Sequence, residues 1–118
     1  NGPKIVVVEP TEAPVIQASI AAGKAVEVQG EVSIMGRLDC KVPSLAALSS
    51  LAQTANYCIT ITDQESKDCL QELSDKGLST SESGGAGYAA LKKAIKNNDC
   101  ELSSDSKVML ILTEKQTD

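Results

Sequence analysis

Short apolar segments recur along the chain and predict the strands of a sheet. Most are continuous runs of branched apolar residues, which are typical of strands buried on both faces of a parallel sheet; one alternates apolar with polar positions. The predicted strands are residues 5–8, residues 26–28, Tyr57–Ile61 and residues 108–112. We therefore expect Val6 and Ile111 to be buried.

Apolar residues at helical spacing fill most of the stretches between these strands. The predicted helices are residues 13–22 after a Thr11 cap, residues 44–55, a segment opened by a capping box of Thr62 and Glu65, and a segment from the glycines at 84–87 to about residue 97. Gly23 and Gly77 are the expected stops of the first and third helices.

The order of these elements predicts an α/β fold. Strands and helices alternate along most of the chain, which is typical of a mostly parallel sheet with helices on both faces. The expected architecture is a single domain over residues 1–118 with about four strands. At 118 residues, such a domain can bury roughly two-thirds of the surface of its unfolded chain.

Composition excludes several classes of function. Tyr57 and Tyr88 are the only aromatic residues, so platforms for stacking bases are nearly absent. The net charge of −5 disfavours a nucleic-acid partner, because the phosphate backbone is also negative. No apolar stretch is long enough to span a membrane and no signal peptide is recognisable, so we expect no membrane partner.

Histidine and cysteine usage narrows the chemistry further. The chain has no histidine, which excludes a Ser–His or Cys–His pair and any histidine metal site within it. The cysteines are widely spaced and form no C-x-x-C motif: Cys40, Cys58, Cys69 and Cys100. We expect four free thiols, no metal site and a cytoplasmic location, where thiols remain reduced.

The most distinctive local chemistry is the run of hydroxyl and glycine residues at 79–87, directly before the last predicted helix. Two interpretations of this run remain open. Ser79 and Glu82 fit a capping box, which would only start the helix. Alternatively, the N–H groups at the helix start would face an anion or the polar edge of a ligand.

The predicted strand ends mark the second place where chemistry is expected. Ligands of open parallel sheets bind beyond the carboxyl ends of the strands. Three segments lie there: residues 9–11, residues 62–63 and residues 113–118. Thr113 and Glu82 are therefore expected to converge. Arg37, the only arginine, either clamps a substrate carboxylate or anchors a surface loop.

Several motifs, taken in order, resemble diaminopropionate ammonia-lyase. They are Val8-Glu9-Pro10, Ile34-Met35 followed by Leu38, Cys40 and Pro43, then Ser81-Glu82-Ser83-Gly84 with Gly87, and finally Thr113-Glu114 with Thr117-Asp118. That enzyme depends on pyridoxal phosphate and has the fold of the tryptophan synthase β-subunit, shared with threonine and serine dehydratases. Lys115 and Gln116 depart from the terminal motif of the family, which is richer in Gly and Asp.

The resemblance implies a lyase of amino-acid catabolism. The reaction would be β-elimination of a small amino acid, 2,3-diaminopropionate or a relative, to pyruvate and ammonia. Thr113 would face the pyridine nitrogen of the cofactor, although a register shift of one would place Leu112 there. Glu82 and Ser83 would line the edge of the ring, with Gly84 permitting close approach of the backbone.

The resemblance also implies that this chain is one part of a larger domain. It covers only the C-terminal part of such an enzyme, which is expected to be a homodimer. The Schiff-base lysine and the phosphate-binding loop would lie in the remainder of the enzyme chain, so no catalytic residue is assigned here and the chain alone should be inactive.

Two interpretations from other classes remain. A small non-catalytic α/β ligand-binding or regulatory module would use Ser83, Gly84 and Gly85 as an anion pocket. An interaction domain would instead dock a partner through an apolar face.

Overall fold

A computed structural model describes residues 2–115 of the chain and has the predicted α/β character. In chain order, the elements are β1 (Val6–Pro10), α1 (Val15–Ala22), α2 (Leu45–Thr54), β2 (Tyr57–Ile61), α3 (Asp63–Asp75) and α4 (Ala86–Asn97). The two strands pair in parallel, with Val6 opposite Tyr57 and Pro10 opposite Ile61. Their carboxyl ends therefore lie at the same edge of the sheet.

The two faces of this small sheet serve different helices. Side chains alternate between faces along a strand. Val8 packs with Ile59 and Ile61 against a core that includes buried residues of α3 and α4. Met35, in the loop before α2, is fully buried in the same cluster. The neighbouring Glu9 points to the other face, where it reaches α1.

Glu9 provides the cap that α1 lacks locally. Thr11 does not cap this helix: its N-cap residue is Pro14, without a side-chain capping bond. The buried Glu9 carboxylate instead accepts hydrogen bonds from the backbone N–H groups of Ile16, at 2.9 Å, and Gln17, at 3.1 Å. A carboxylate at this end also interacts favourably with the helix dipole. At its other end, α1 stops at Gly23 as predicted, with φ of 71°.

The remaining helix boundaries follow local sequence signals closely. Ser44 caps α2 by accepting a hydrogen bond from the Ala47 N–H. The predicted capping box of α3 is present in full: Thr62 accepts from the Glu65 N–H, and Glu65 accepts from the Thr62 N–H. The last helix ends at Asn97, as expected.

Two of the four predicted strands are absent from the described residues. Residues 26–28 form no ladder, although the Val28 N–H donates to the Lys41 carbonyl at 2.9 Å. Residues 108–112 are also unpaired, and Ile111 is 71% exposed. Val6, in β1, is 38% exposed, so the expected burial of both residues was wrong. An apolar run becomes a strand only where a neighbour completes the backbone hydrogen bonds along its length, and neither run has such a neighbour within residues 2–115.

Cysteine chemistry and membrane crossing can also be judged from the fold. All four cysteines are unpaired, as predicted, and they differ in environment: Cys40 is exposed, whereas Cys69 is 6% exposed. Burial raises the pKa of the Cys69 thiol. Within residues 2–115, no helix has the length and apolar character needed to cross a bilayer.

The thiols should therefore react in a defined order. Under native conditions a disulfide reagent should label Cys40 first and Cys69 slowly, because the thiolate is the reactive form and Cys69 is both buried and harder to ionise. Peptide mapping after brief labelling checks the order. Titration of the denatured, unreduced chain should count four thiols; a count of two would reveal a disulfide.

Candidate functional site

The hydroxyl-rich run before α4 folds into a tight turn at residues 81–85. The Ser81 hydroxyl accepts a hydrogen bond from the Gly84 N–H, and the Ser81 carbonyl accepts from the Gly85 N–H, both at 2.9 Å. The helix begins at Ala86, with Gly85 as its N-cap and no side-chain capping bond. The capping box of Ser79 and Glu82 was therefore a wrong prediction, because the helix starts several residues later than that box requires.

The N–H groups of Gly84, Gly85 and Ala86 are already used within the turn. Besides the bonds of Gly84 and Gly85, the Ala86 N–H donates to the Ser83 carbonyl at 3.3 Å. A bound anion would need these donors to be free. The turn is thus poorly suited to hold a phosphate, although its outer surface still offers backbone and side chains to a neutral or polar ring edge.

Glu114 brings the end of the described chain onto the turn. The Ser81 hydroxyl donates to one oxygen of the Glu114 carboxylate through a short hydrogen bond, while Arg37 Nε lies 3.7 Å from the other oxygen. The Glu114 backbone is also close to Gly84: a Cβ at position 84 would lie 3.2 Å from the Glu114 nitrogen and 3.2 Å from its Cγ. A side chain at position 84 would force the two segments apart.

A third segment, the loop before α2, also joins the turn. The Arg37 backbone N–H donates to the Ser83 hydroxyl at 3.1 Å. The loop is held at the sheet edge by Asp63, whose carboxylate accepts from the Ser33 hydroxyl at 2.7 Å and from the Ile34 N–H at 3.2 Å. The Arg37 side chain is 80% exposed and faces Glu114. This geometry favours the loop-anchoring role of Arg37 over a substrate clamp.

Three of the four predicted site residues lie in the turn, and the fourth, Thr113, lies in the segment that Glu114 holds against it. Glu82, Ser83 and Gly84 are consecutive in the turn, and the Glu82 carbonyl accepts from the Ser66 hydroxyl of α3 at 2.9 Å. Thr113 is exposed and directly precedes Glu114. Among the described residues, neither the Glu82 carboxylate nor the Thr113 hydroxyl has a hydrogen-bond partner, so both remain available to a ligand. Thr117 and Asp118 of the terminal motif lie outside the described residues.

Sequence reasoning missed the two residues that join the segments, Ser81 and Glu114. Both belong to the motifs of the resemblance, but neither was assigned a role. Their contact spans 33 positions, so no local pattern reveals it. Behind the turn lies a further unpredicted feature: the Thr80 hydroxyl is buried and has no hydrogen-bond partner in the part of the chain that the structure describes.

An open groove of about 530 Å³ lies elsewhere, between α3 and α4. Its charged groups are largely paired, since Lys92 lies 2.6 Å from Glu72 and Lys93 lies 3.3 Å from Glu65. The hydrogen bond from Lys92 lowers the pKa of the Glu72 carboxyl. Paired charges on an open surface indicate a solvated helix face. No cluster of side chains within residues 2–115 is suited to hold a metal ion.

The contact between Gly84 and Glu114 makes a direct prediction for stability. Gly84→Ala should lower the free energy of unfolding by about 1–3 kcal/mol, because the new methyl group has no space beside Glu114 and Thr80. Gly36→Ala is the matched control, since a Cβ at Gly36 would have no atom within 4 Å. Denaturant unfolding followed by circular dichroism measures both. Equal stability of the two variants would contradict the packing described here.

Comparison with known proteins identifies the fold and the family. The structure is similar to a threonine deaminase of T.th. (TM-score 0.81, 14% identity), covering 98% of this chain and 40% of that one. The L-serine ammonia-lyase of the fungus Rhizomucor miehei is similar with a TM-score of 0.78 and 22% identity, and the match covers 96% of this chain and 36% of that one. Maize serine racemase is similar with a TM-score of 0.86 and 20% identity, and the match covers 98% of this chain and 35% of that one.

The chain thus spans less than half the length of these solved structures. No curated protein sequence matches it. The family model for pyridoxal-phosphate dependent enzyme, however, matches residues 1–114, which is nearly the whole chain. The chain therefore belongs to the family of pyridoxal-phosphate-dependent enzymes.

Proposed function

We propose that this chain is the C-terminal part of a pyridoxal-phosphate-dependent ammonia-lyase. The reaction is the β-elimination of 2,3-diaminopropionate, or a related small amino acid, to pyruvate and ammonia. The family match and the order of the motifs support this proposal, and two of the similar folds are named a deaminase and an ammonia-lyase. The observation that carries it is the contact of Glu114 with Ser81 and Gly84, which brings the segment of Thr113 to the turn of Glu82 and Ser83.

The chemistry of these residues fits one edge of the cofactor and not the whole of it. Hydroxyl groups, a backbone turn and one carboxylate suit the pyridine ring and its polar substituents. The internal use of the turn's N–H groups argues against the phosphate at this place. Within residues 2–115, no lysine forms a hydrogen bond or ion pair with the turn, and Lys41, Lys92 and Lys93 pair with carboxylates elsewhere. We therefore assign the Schiff-base lysine and the phosphate-binding loop to the remainder of the enzyme chain.

Each of the four predicted site residues has a proposed role. When bound, the cofactor supplies the electron sink that makes removal of the substrate's α-proton feasible. Thr113 offers a neutral hydroxyl to the pyridine nitrogen, and a neutral group there does not favour a protonated ring as a carboxylate would. Glu82 and Ser83 line the ring edge, and Gly84, which is buried against Glu114, lets the segment of Thr113 lie close to them. Leu112 is the alternative to Thr113 if the register differs by one.

The exposed apolar runs support the proposal of a larger enzyme. Val6, Val108, Met109 and Ile111 are 38%, 46%, 87% and 71% exposed, an unfavourable state for side chains of this type. We propose that the remainder of the enzyme chain covers these side chains, and that the complete enzyme is a homodimer. The four unpaired thiols support a cytoplasmic location.

The alternative of a non-catalytic module with an anion pocket is less well supported. Glu114 places a negative carboxylate beside Ser81 and Gly84, where that pocket would lie, and like charges at this distance repel. A ligand that is neutral at this edge, such as a pyridine ring, meets no such penalty.

Replacing the proposed ring partner should impair elimination without unfolding the enzyme. In the complete enzyme, Thr113→Val should lower the rate of ammonia release roughly tenfold, the equivalent of one lost hydrogen bond. Its free energy of unfolding should change by less than about 0.5 kcal/mol, because Thr113 is exposed. Thr113→Ser should retain activity. Thr54→Val, which removes an exposed hydroxyl on α2, is the control. Full activity of Thr113→Val would contradict the assignment.

The 118-residue chain alone should show no such activity. It should bind pyridoxal phosphate weakly, since none of its lysines lies in a Schiff-base motif. Borohydride reduction followed by peptide mapping should find no lysine labelled in stoichiometric amount. A single lysine labelled to completion would place the reactive amine in this chain and overturn the division proposed above.

A further inference from the structure

We propose that Glu114 is a positioning residue, which pins the segment carrying Thr113 and decides that Thr113, and not Leu112, faces the open side of the site. The catalytic consequence of this inference rests on the proposed function. The pinning itself does not, because it follows from contacts within the chain.

Within the described chain, Glu114 is the sole polar attachment of its segment. Residues 107–115 form no helix or strand in the structure. Within the described chain, the hydrogen bond from Ser81 to Glu114 is the only hydrogen bond that joins these residues to any other segment. An apolar contact is also present, since a Cβ at Gly87 would lie 3.6 Å from Leu110 Cδ2, which places Leu110 beside the start of α4. Loss of the Glu114 carboxylate would leave the segment attached by apolar contact alone.

The surface formed by Ser81, Gly84 and Arg37 fits the Glu114 carboxylate. Ser81 uses its hydroxyl twice, accepting from the Gly84 N–H and donating to Glu114. Gly84, buried and without a side chain, allows the Glu114 backbone to lie directly against the turn. The Arg37 guanidinium adds a weak attraction at 3.7 Å, weak because the side chain is 80% exposed. A one-residue slip would remove the carboxylate from all of these partners.

The contact of Glu114 with the turn also determines the orientation of Thr113. Successive side chains of an extended backbone point to opposite sides, so a shift of one residue exchanges the two sets. In the structure Glu114 is half-buried against the turn and Thr113 is exposed, while Leu112 is again half-buried. Pinning Glu114 inward therefore presents the Thr113 hydroxyl outward and keeps Leu112 out of that position. This resolves the one-residue ambiguity that the sequence leaves open.

Backbone dynamics of the 118-residue chain test the pin without reference to activity. The ¹⁵N NMR order parameter of the Thr113 amide should be about 0.8 in the wild-type chain and fall below about 0.6 in Glu114→Ala and in Ser81→Ala. Glu114→Gln should stay close to wild type, since its amide oxygen still accepts from Ser81. Glu27→Ala, which removes an exposed glutamate without hydrogen-bond partners in the described residues, is the control. A wild-type value already below about 0.6, or no change in Glu114→Ala, would overturn the proposal.

Kinetics of the complete enzyme test the consequence for catalysis. Glu114→Ala should lower kcat for elimination roughly tenfold, as Thr113→Val does, and the double variant should be little worse than either. Glu114→Gln should restore most of the loss. If Glu114→Ala loosens the segment while Thr113→Val remains fully active, the pin stands and the assigned function of Thr113 fails. If the losses of the two single variants multiply in the double variant, Glu114 does not act through Thr113.

Discussion

The parallel pairing of β1 with β2 is the constraint on which the rest of the structure depends. Parallel strands place their carboxyl ends at one edge, and both ends carry a carboxylate there. Glu9 uses its oxygens to start α1, and Asp63 holds the loop of Ser33 and Ile34. That loop reaches the turn through Arg37 and Ser83. The pairing of β1 with β2 therefore determines, through these contacts, where the candidate site lies.

The turn before α4 differs from a phosphate-binding turn in how its N–H groups are used. Glycine and serine before a helix are typical of phosphate-binding sites, where backbone N–H groups point at the anion. Here the Ser81 hydroxyl and carbonyl take two of those N–H groups, and a glutamate lies beside them. The electrostatics favour a neutral ring edge over an anion. This is the physical reason for the proposal that the turn faces the pyridine ring and not the phosphate.

The parts of the structure that follow from local chemistry could be predicted from the sequence. The capping box of Thr62 and the stop at Gly23 each depend on residues close together in the chain. The strands predicted at 26–28 and 108–112 failed because strand formation depends on a neighbour that the pattern alone does not supply. Glu9 and Glu114 were missed as structural residues for a related reason, since their partners are chosen by the fold. The site residues Glu82, Ser83, Gly84 and Thr113 came from the motif order, and the structure adds the contact that brings their two segments together.

The most direct test of the account is the distance from Thr113 to the cofactor in a crystal structure of the complete enzyme with pyridoxal phosphate bound. The account predicts about 2.7–3.2 Å between Thr113 Oγ1 and the pyridine nitrogen, the range of an ordinary hydrogen bond. Glu82 and Ser83 should then lie along the edge of the same ring. A pyridine nitrogen more than about 5 Å from Thr113, beyond any direct hydrogen bond and paired instead with a residue outside this chain, would contradict it.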